Sequence, residues 1–136
     1  RGDFHVQLVQ DWLAQVLPAQ QSASRNREVE SLRLLVHCTE QTQAPGSKNT
    51  WKTLFEQIGV SVLTPNTGCC GMAGSYGHEA SQKATSQRIF ELNWQNELRH
   101  TDATPVATGF SCRCQSERFG DKQVEHPLLA FARRLY

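Results

Sequence analysis

Apolar residues along this chain fall into two kinds of pattern, one at helical spacing and one in short continuous runs. The first helix is predicted by five apolar residues on one helical face and stops before Pro18. These residues are Val9, Trp12, Leu13, Val16 and Leu17. The polar stretch that follows, up to residue 30, is expected to be a solvated connection.

The rest of the chain repeats the order strand then helix three times. The strands are expected at 32–36, 60–63 and 105–108, and the helices at 51–58, 78–100 and 127–135. This alternation predicts an α/β fold with a small parallel sheet of three or four strands and βαβ crossovers. Residues 1–30 would form an N-terminal helix and connection, residues 31–136 a second unit, and the three tryptophans would lie in the core.

The composition of the chain argues against several classes of function. Hydrophobic residues make up 38% of the chain, which suffices for one modest core, and the net charge is +1 with both signs interspersed. No basic face suggests nucleic acid, and no apolar run is long enough to cross a membrane. The start resembles no signal peptide. Because the only methionine is Met72, we expect the chain to be a piece of a longer protein.

Cysteine is the residue type that carries the chemistry here. The five cysteines are odd in number, two are adjacent and two others are separated by one residue. Such spacings close only strained disulfides, which argues against a secreted disulfide framework. Clustered thiols in a reducing compartment indicate metal binding or redox chemistry. The expected location is the cytoplasm, with peripheral attachment at the inner membrane as an alternative.

The predicted topology gathers the thiols. Every cysteine follows a predicted strand: Cys38 comes directly after the first, Cys69 and Cys70 lie in the loop after the second, and Cys112 and Cys114 are expected in the loop after the third. The carboxyl ends of parallel strands share one edge of a sheet, which is where open α/β sheets bind ligands. Thiols that are distant in sequence would therefore meet there, and we expect a metal site formed by all five.

A glycine-rich loop from residue 68 to 77 surrounds the adjacent cysteines. Gly68, Gly71 and Gly74 would let the backbone approach a bulky inorganic ligand and donate N–H groups to sulfur. The alternative is a flexible hinge. Zinc needs only four ligands in a closed site, whereas larger iron–sulfur clusters also use thiolates from several loops. The chemistry favours iron–sulfur and leaves zinc open.

These residues resemble a known family. The order Cys38, then Cys69-Cys70-Gly71, then Cys112-Arg113-Cys114 is similar to the cysteine-rich CCG domain of heterodisulfide reductases and of the iron–sulfur subunits of glycolate oxidases. The flanking residues, from 36 to 40, 67 to 74 and 109 to 115, resemble one branch of it. That branch is the large bacterial FAD-linked oxidoreductases acting on D-2-hydroxyglutarate, in which this region is C-terminal.

The resemblance implies a ligand set and a role. The five cysteines would hold a 4Fe–4S cluster, of a noncubane type in heterodisulfide reductases, although some CCG domains bind zinc. One departure is the pair Cys112-Arg113-Cys114, where the family usually has CxxC. The resemblance further implies FAD in another part of the parent flavoprotein. The partners would be its flavin and ferredoxin-like domains and an unknown electron acceptor.

Three functions remain after this reasoning. The favoured one is electron transfer from flavin to an acceptor, with no catalysis by this segment alone. The alternatives are a zinc-binding structural or docking domain and a thiol-disulfide redox module. No catalytic triad or phosphate-binding glycine motif is present. His37 is expected to hydrogen-bond locally, His78 to lie in the first turn of a helix, and Arg113 to influence the neighbouring thiols or face solvent.

Overall fold

A computed structural model describes residues 2–17 and 30–135. The three strands are β1 (Ser31–Leu35), β2 (Ser61–Leu63) and β3 (Thr104–Ala107). The α-helices are α1 (Val9–Val16), α2 (Cys38–Gln43), α3 (Ser47–Gln57), α4 (Lys83–Asn93), α5 (Gln95–Arg99), α6 (Phe110–Gly120) and α7 (Pro127–Leu135). Nearly all of the connection predicted for residues 18–30 lies outside the described residues.

The sheet is parallel, as predicted, with the strand order β2-β1-β3. In its register Leu32 pairs with Val62 on one side and Thr104 on the other. Helices connect β1 to β2 and β2 to β3, which a parallel sheet requires. The α/β class and the small parallel sheet are therefore confirmed, with three strands in the described part of the chain.

Both faces of the sheet are covered, because successive side chains of β1 point to opposite sides. Leu32 and Leu34 belong to a core cluster that α1, α3 and α7 complete, where Phe55 and Phe131 meet edge to face. Leu35 belongs to the cluster on the other face, formed with α4, α5 and α6. Cys70, Met72 and Cys112 are buried in this second cluster. Two of the candidate ligands are thus part of the core.

The long helix predicted for 78–100 is wrong as a single element. Two 3-10 turns, Tyr76–His78 and Ala80–Gln82, precede α4, and Trp94 interrupts the helix before α5 with φ −121°. The Leu98 N–H donates to the Trp94 carbonyl at 3.3 Å, so helical spacing resumes at the break and the apolar side chains stay in register across it. Spacing of buried side chains alone therefore did not reveal the interruption.

One tryptophan departs from the expected core position. Trp51 and Trp94 are fully buried, whereas Trp12 on α1 is 50% exposed. In the described part of the chain, no helix combines the length and apolar character that crossing a bilayer would need.

Candidate metal-thiolate site

The loop that carries Cys69 and Cys70 has an unusual backbone. Gly71, Ala73 and Gly74 have φ values of +89°, +44° and +70°. Successive residues of opposite backbone hand turn their N–H groups to the same side, which creates a concave anion site. The Gly71 N–H donates to the Cys69 sulfur at 3.3 Å. The sequence predicted this donation in outline, and the loop is suited to negative charge on sulfur.

Side chains from α4 and the break after it hold the start of this loop. The Trp94 indole N–H donates to the Gly68 carbonyl at 3.0 Å, and the Asn93 amide donates to the Cys69 carbonyl at 3.1 Å. A Cβ on Gly68 would lie 2.7 Å from the Asn93 side-chain oxygen. A side chain at this position would therefore displace the Asn93 amide from its bond to the Cys69 carbonyl.

A buried polar network fixes the second half of the loop. The Gln115 amide nitrogen donates to the Cys70 carbonyl at 3.0 Å and to the Ser86 hydroxyl at 2.8 Å, and Ser86 donates to the Gly71 carbonyl at 2.7 Å. Both side chains are fully buried. Only one amide orientation of Gln115 works, because its oxygen would otherwise face a carbonyl. The described residues offer that oxygen no partner.

Replacement of Gln115 by leucine is expected to lower the free energy of unfolding by about 1–3 kcal/mol, because the buried Cys70 carbonyl loses its donor. Urea unfolding of both forms measures the difference. Gln87→Leu on the exposed side of α4 is the control, with a change within about 0.5 kcal/mol. Equal effects of the two substitutions would contradict the described network.

Cys112 lies on a helix and not in the predicted loop, so that expectation is wrong. Helix α6 begins at Phe110, soon after β3, and carries both Cys112 and Cys114. Cys112 is 1% exposed and is buried with Cys70 in the second core cluster, where each thiol shifts the pKa of the other. Gly109 makes this approach feasible, because a Cβ there would lie 2.8 Å from the Cys112 sulfur.

The pKa values of these two thiols are shifted in opposite directions. The pKa of Cys70 is lowered to about 6, first by the Cys112 side chain and then, against burial, by the Met72 N–H and the Ser111 hydroxyl. The same contact, followed by burial, raises the pKa of Cys112. The two shifts have the same first cause: the interaction between the two side chains favours the thiolate on Cys70 and the thiol on Cys112.

Cys69 and Cys38 lie near this pair. Burial raises the pKa of Cys69, opposed by the Gly71 N–H and assisted by the charges of Cys70 and Cys38. Cys38 also contributes to the raised pKa of Cys112, so its thiol lies within electrostatic range of both. It is the first residue of α2, and only Val36 and His37 separate it from the end of β1. Four thiols from three segments therefore influence one another.

Cys114 stands apart from these four. Positions two apart on a helix are rotated by about 200° around its axis, so Cys112 and Cys114 cannot face the same point. Cys114 is partly buried and packs against the second core cluster. Its role as a ligand stays a prediction, and it would require a change in the first turn of α6.

Histidine and arginine near the thiols have local partners. His37 is the N-cap of α2, and its Nδ1 accepts the Thr39 N–H at 3.2 Å, the local bond that was expected. Arg113 does not face solvent freely: it donates to the Ala107 and Thr108 carbonyls, each at 3.1 Å, and lies 5.8 Å from the Phe110 ring centre. His78 ends a 3-10 turn and is not in an α-helix.

The cysteine side chains are of a type that binds metals, but they do not form a ready-made metal site in the described residues. In residues 2–17 and 30–135, no group of three or more His, Cys, Asp or Glu side chains is already arranged to hold a metal ion. The donor set is nevertheless soft sulfur, with N–H groups directed at Cys69 and Cys70. Such donors suit zinc or an iron–sulfur cluster, and rotation about χ1 of a cysteine moves its sulfur without moving the backbone.

Proteins named D-2-hydroxyglutarate dehydrogenase are similar to this chain. That of Pseudomonas putida is 45% identical over 132 residues, which cover 95% of this chain and 13% of the relative. Those of Pantoea ananatis and Escherichia coli are 41% and 40% identical over 131 residues, covering 96% of this chain and 13% of each relative. No protein-family model and no solved structure matches the chain.

These matches bear on the resemblance found in the sequence. The likeness to oxidoreductases acting on D-2-hydroxyglutarate is confirmed, whereas the CCG assignment stays a prediction because no family model matches. The chain spans only 13% of the length of these relatives. Over nearly its whole length, the chain is therefore similar to one small part of larger dehydrogenases.

Proposed function

We propose that this chain is the iron–sulfur electron-transfer segment of a longer FAD-linked dehydrogenase of D-2-hydroxyglutarate or a similar 2-hydroxyacid. The observation that carries the proposal is the position of four cysteines: Cys38, the pair Cys69 and Cys70, and Cys112 lie in three segments that follow the parallel strands β1, β2 and β3, and Cys70 and Cys112 are buried in one core cluster. The similarity to dehydrogenases supplies the reaction. The 13% coverage accounts for a segment that does not catalyse by itself.

The surroundings of the thiols suit such a cluster. An iron–sulfur cluster supplies one-electron transfer, and its potential depends on hydrogen bonds to sulfur and on exclusion of water. Cys70 and Cys112 are 2% and 1% exposed, so the protein excludes water on that side. The Gly71 N–H donates to the Cys69 sulfur, and the Met72 N–H lowers the pKa of Cys70, so both favour negative charge on sulfur. Gln115 and Ser86 hydrogen-bond to the loop and would hold these N–H donors in place.

Anaerobic reconstitution tests the proposal. The 136-residue chain, incubated with iron and sulfide without oxygen, is expected to retain about four irons with matching sulfide and to give an EPR signal after one-electron change. A quadruple Cys→Ser variant at positions 38, 69, 70 and 112 is the control and should retain none.

Two other outcomes would replace the proposal. Retention of one zinc and no iron-sulfide would indicate the structural or docking domain, since four thiols also satisfy tetrahedral zinc. A chain that binds neither metal and forms a reversible disulfide between Cys70 and Cys112 would indicate the thiol-disulfide module, which the contact between those thiols favours.

A further inference from the structure

Helix α1 is apolar on two of its faces. One face carries Leu13, which is buried, and packs against α3 in the first core cluster. The other face carries Leu8, Trp12 and Val16 at i, i+4 and i+8, and these residues are 42%, 50% and 48% exposed. A helix of a globular domain normally has one apolar stripe, and a helix that is apolar all round is normally buried on all sides.

The segment before α1 carries two further exposed apolar residues. Phe4 and Val6 are 80% and 79% exposed and alternate with polar residues up to Leu8. We call Phe4, Val6, Leu8, Trp12 and Val16 the N-terminal apolar strip. Exposed apolar residues elsewhere, such as Leu92 and Leu129, are separated in sequence and occur on different helices. Scattered residues of that kind need no explanation, whereas five exposed apolar residues within one short segment point to an interaction surface.

The helix that bears the strip is firmly anchored. The buried Gln10 side chain donates to the Ser47 hydroxyl at 2.7 Å, so α1 is tied to α3 by a polar contact as well as by Leu13. The exposed face is therefore presented by a fixed element and is not the consequence of a loose helix. Its charges are few: Asp3, His5 and Asp11 are the titratable groups in residues 2–17.

We propose that the N-terminal apolar strip is the surface on which another part of the longer parent protein packs. The argument for this occupant is length: the chain spans 13% of its relatives, so most of a parent protein lies outside it and is available to cover the strip. Because the strip carries few charged groups, the surface of the parent protein that packs on it should also be apolar and carry little charge. The proposal goes beyond the electron-transfer role and does not depend on any metal.

Hydroxyl-radical footprinting of the full-length parent protein tests this. The protection of a side chain is its labelling rate in urea divided by its rate in the native protein. Half exposure of Trp12 alone predicts about twofold protection, whereas a packed interface predicts about tenfold or more. Leu92, which is 78% exposed on α4, is the internal reference and should show protection close to one.

A matched pair of variants of the full-length protein sharpens the test. Trp12→Glu is expected to reduce the protection of Phe4 and Val6 to that of Leu92, while Leu92→Glu leaves it unchanged. About twofold protection of Trp12 in the wild type would overturn the proposal. Protection that is lost on dilution would mean that a second copy of the protein covers the strip. Protection that persists in the monomeric 136-residue chain would mean that its own residues 18–29 cover the strip. Either result overturns the proposal.

Discussion

Replacement of Gly71 by alanine is expected to destabilise the chain by about 3 kcal/mol or more, because a left-handed backbone and a backbone collision act at the same residue. Gly71 has a φ of +89°, which side chains other than glycine rarely adopt. A Cβ there would lie 2.3 Å from the Ser86 carbonyl oxygen, which α4 holds in place. Neither the loop nor the helix can move without breaking the contacts of Gln115.

Gly74→Ala is the matched control for this prediction. Gly74 also has a positive φ, +70°, but a Cβ there would meet no atom within 4 Å. Its replacement should cost only the conformational term of about 1–2 kcal/mol. The free energies of unfolding come from urea titration of the three proteins. If the two variants were equally stable, the close packing of Gly71 on α4 would be refuted.

The sheet and several helices followed from the sequence because they depend on local spacing. The stripe Trp51, Leu54, Phe55 and Ile58 predicted α3, and Pro127 at the first position predicted the start of α7. The leucines of β1, separated only by Arg33, are typical of a strand buried on both faces. Local pattern is sufficient where burial of apolar side chains decides the structure.

Helix α6 could not be predicted in that way. Its buried residues are Cys112, Gln115 and Ser116, which do not form an apolar stripe in the sequence. Gln115 is buried only because Cys70 and Ser86, distant in sequence, accept its hydrogen bonds. Arg33 is similar: it interrupts an apolar strand and is compensated by Glu97 at 2.6 Å. Partners that are set by tertiary contact leave no local signal.

The sequence predicted a role for three glycines of the candidate site, Gly68, Gly71 and Gly74. Their pattern predicted that the backbone approaches a bulky inorganic ligand, and the close approaches observed are to the protein itself. For Gly68 and Gly71, the neighbours are Asn93 and Ser86 of the same chain. Gly74 faces open space and is the glycine of this loop best placed to leave room for a ligand. Contact of any of the three with a cofactor stays a prediction.

The largest expected effect concerns the two cysteines of α6. Cys112→Ser should reduce the iron retained after anaerobic reconstitution to about a tenth of the wild-type amount or less, because a hydroxyl is a poor replacement for a thiolate ligand of iron–sulfur clusters. Cys114→Ser should retain most of the iron, since its side chain lies about 200° around the helix from that of Cys112. Iron and sulfide counts and the EPR signal of each variant give the measurement.

Folding must be controlled, because Cys112 is buried in the second core cluster. The serine hydroxyl can still bond to Cys70, so circular dichroism should show a folded chain with a cost of about 1–2 kcal/mol. Equal loss of iron in both variants would contradict a ligand set of four. That result would mean that the first turn of α6 unwinds to bring both thiols to the cluster, because no intact helix directs residues two apart to one point.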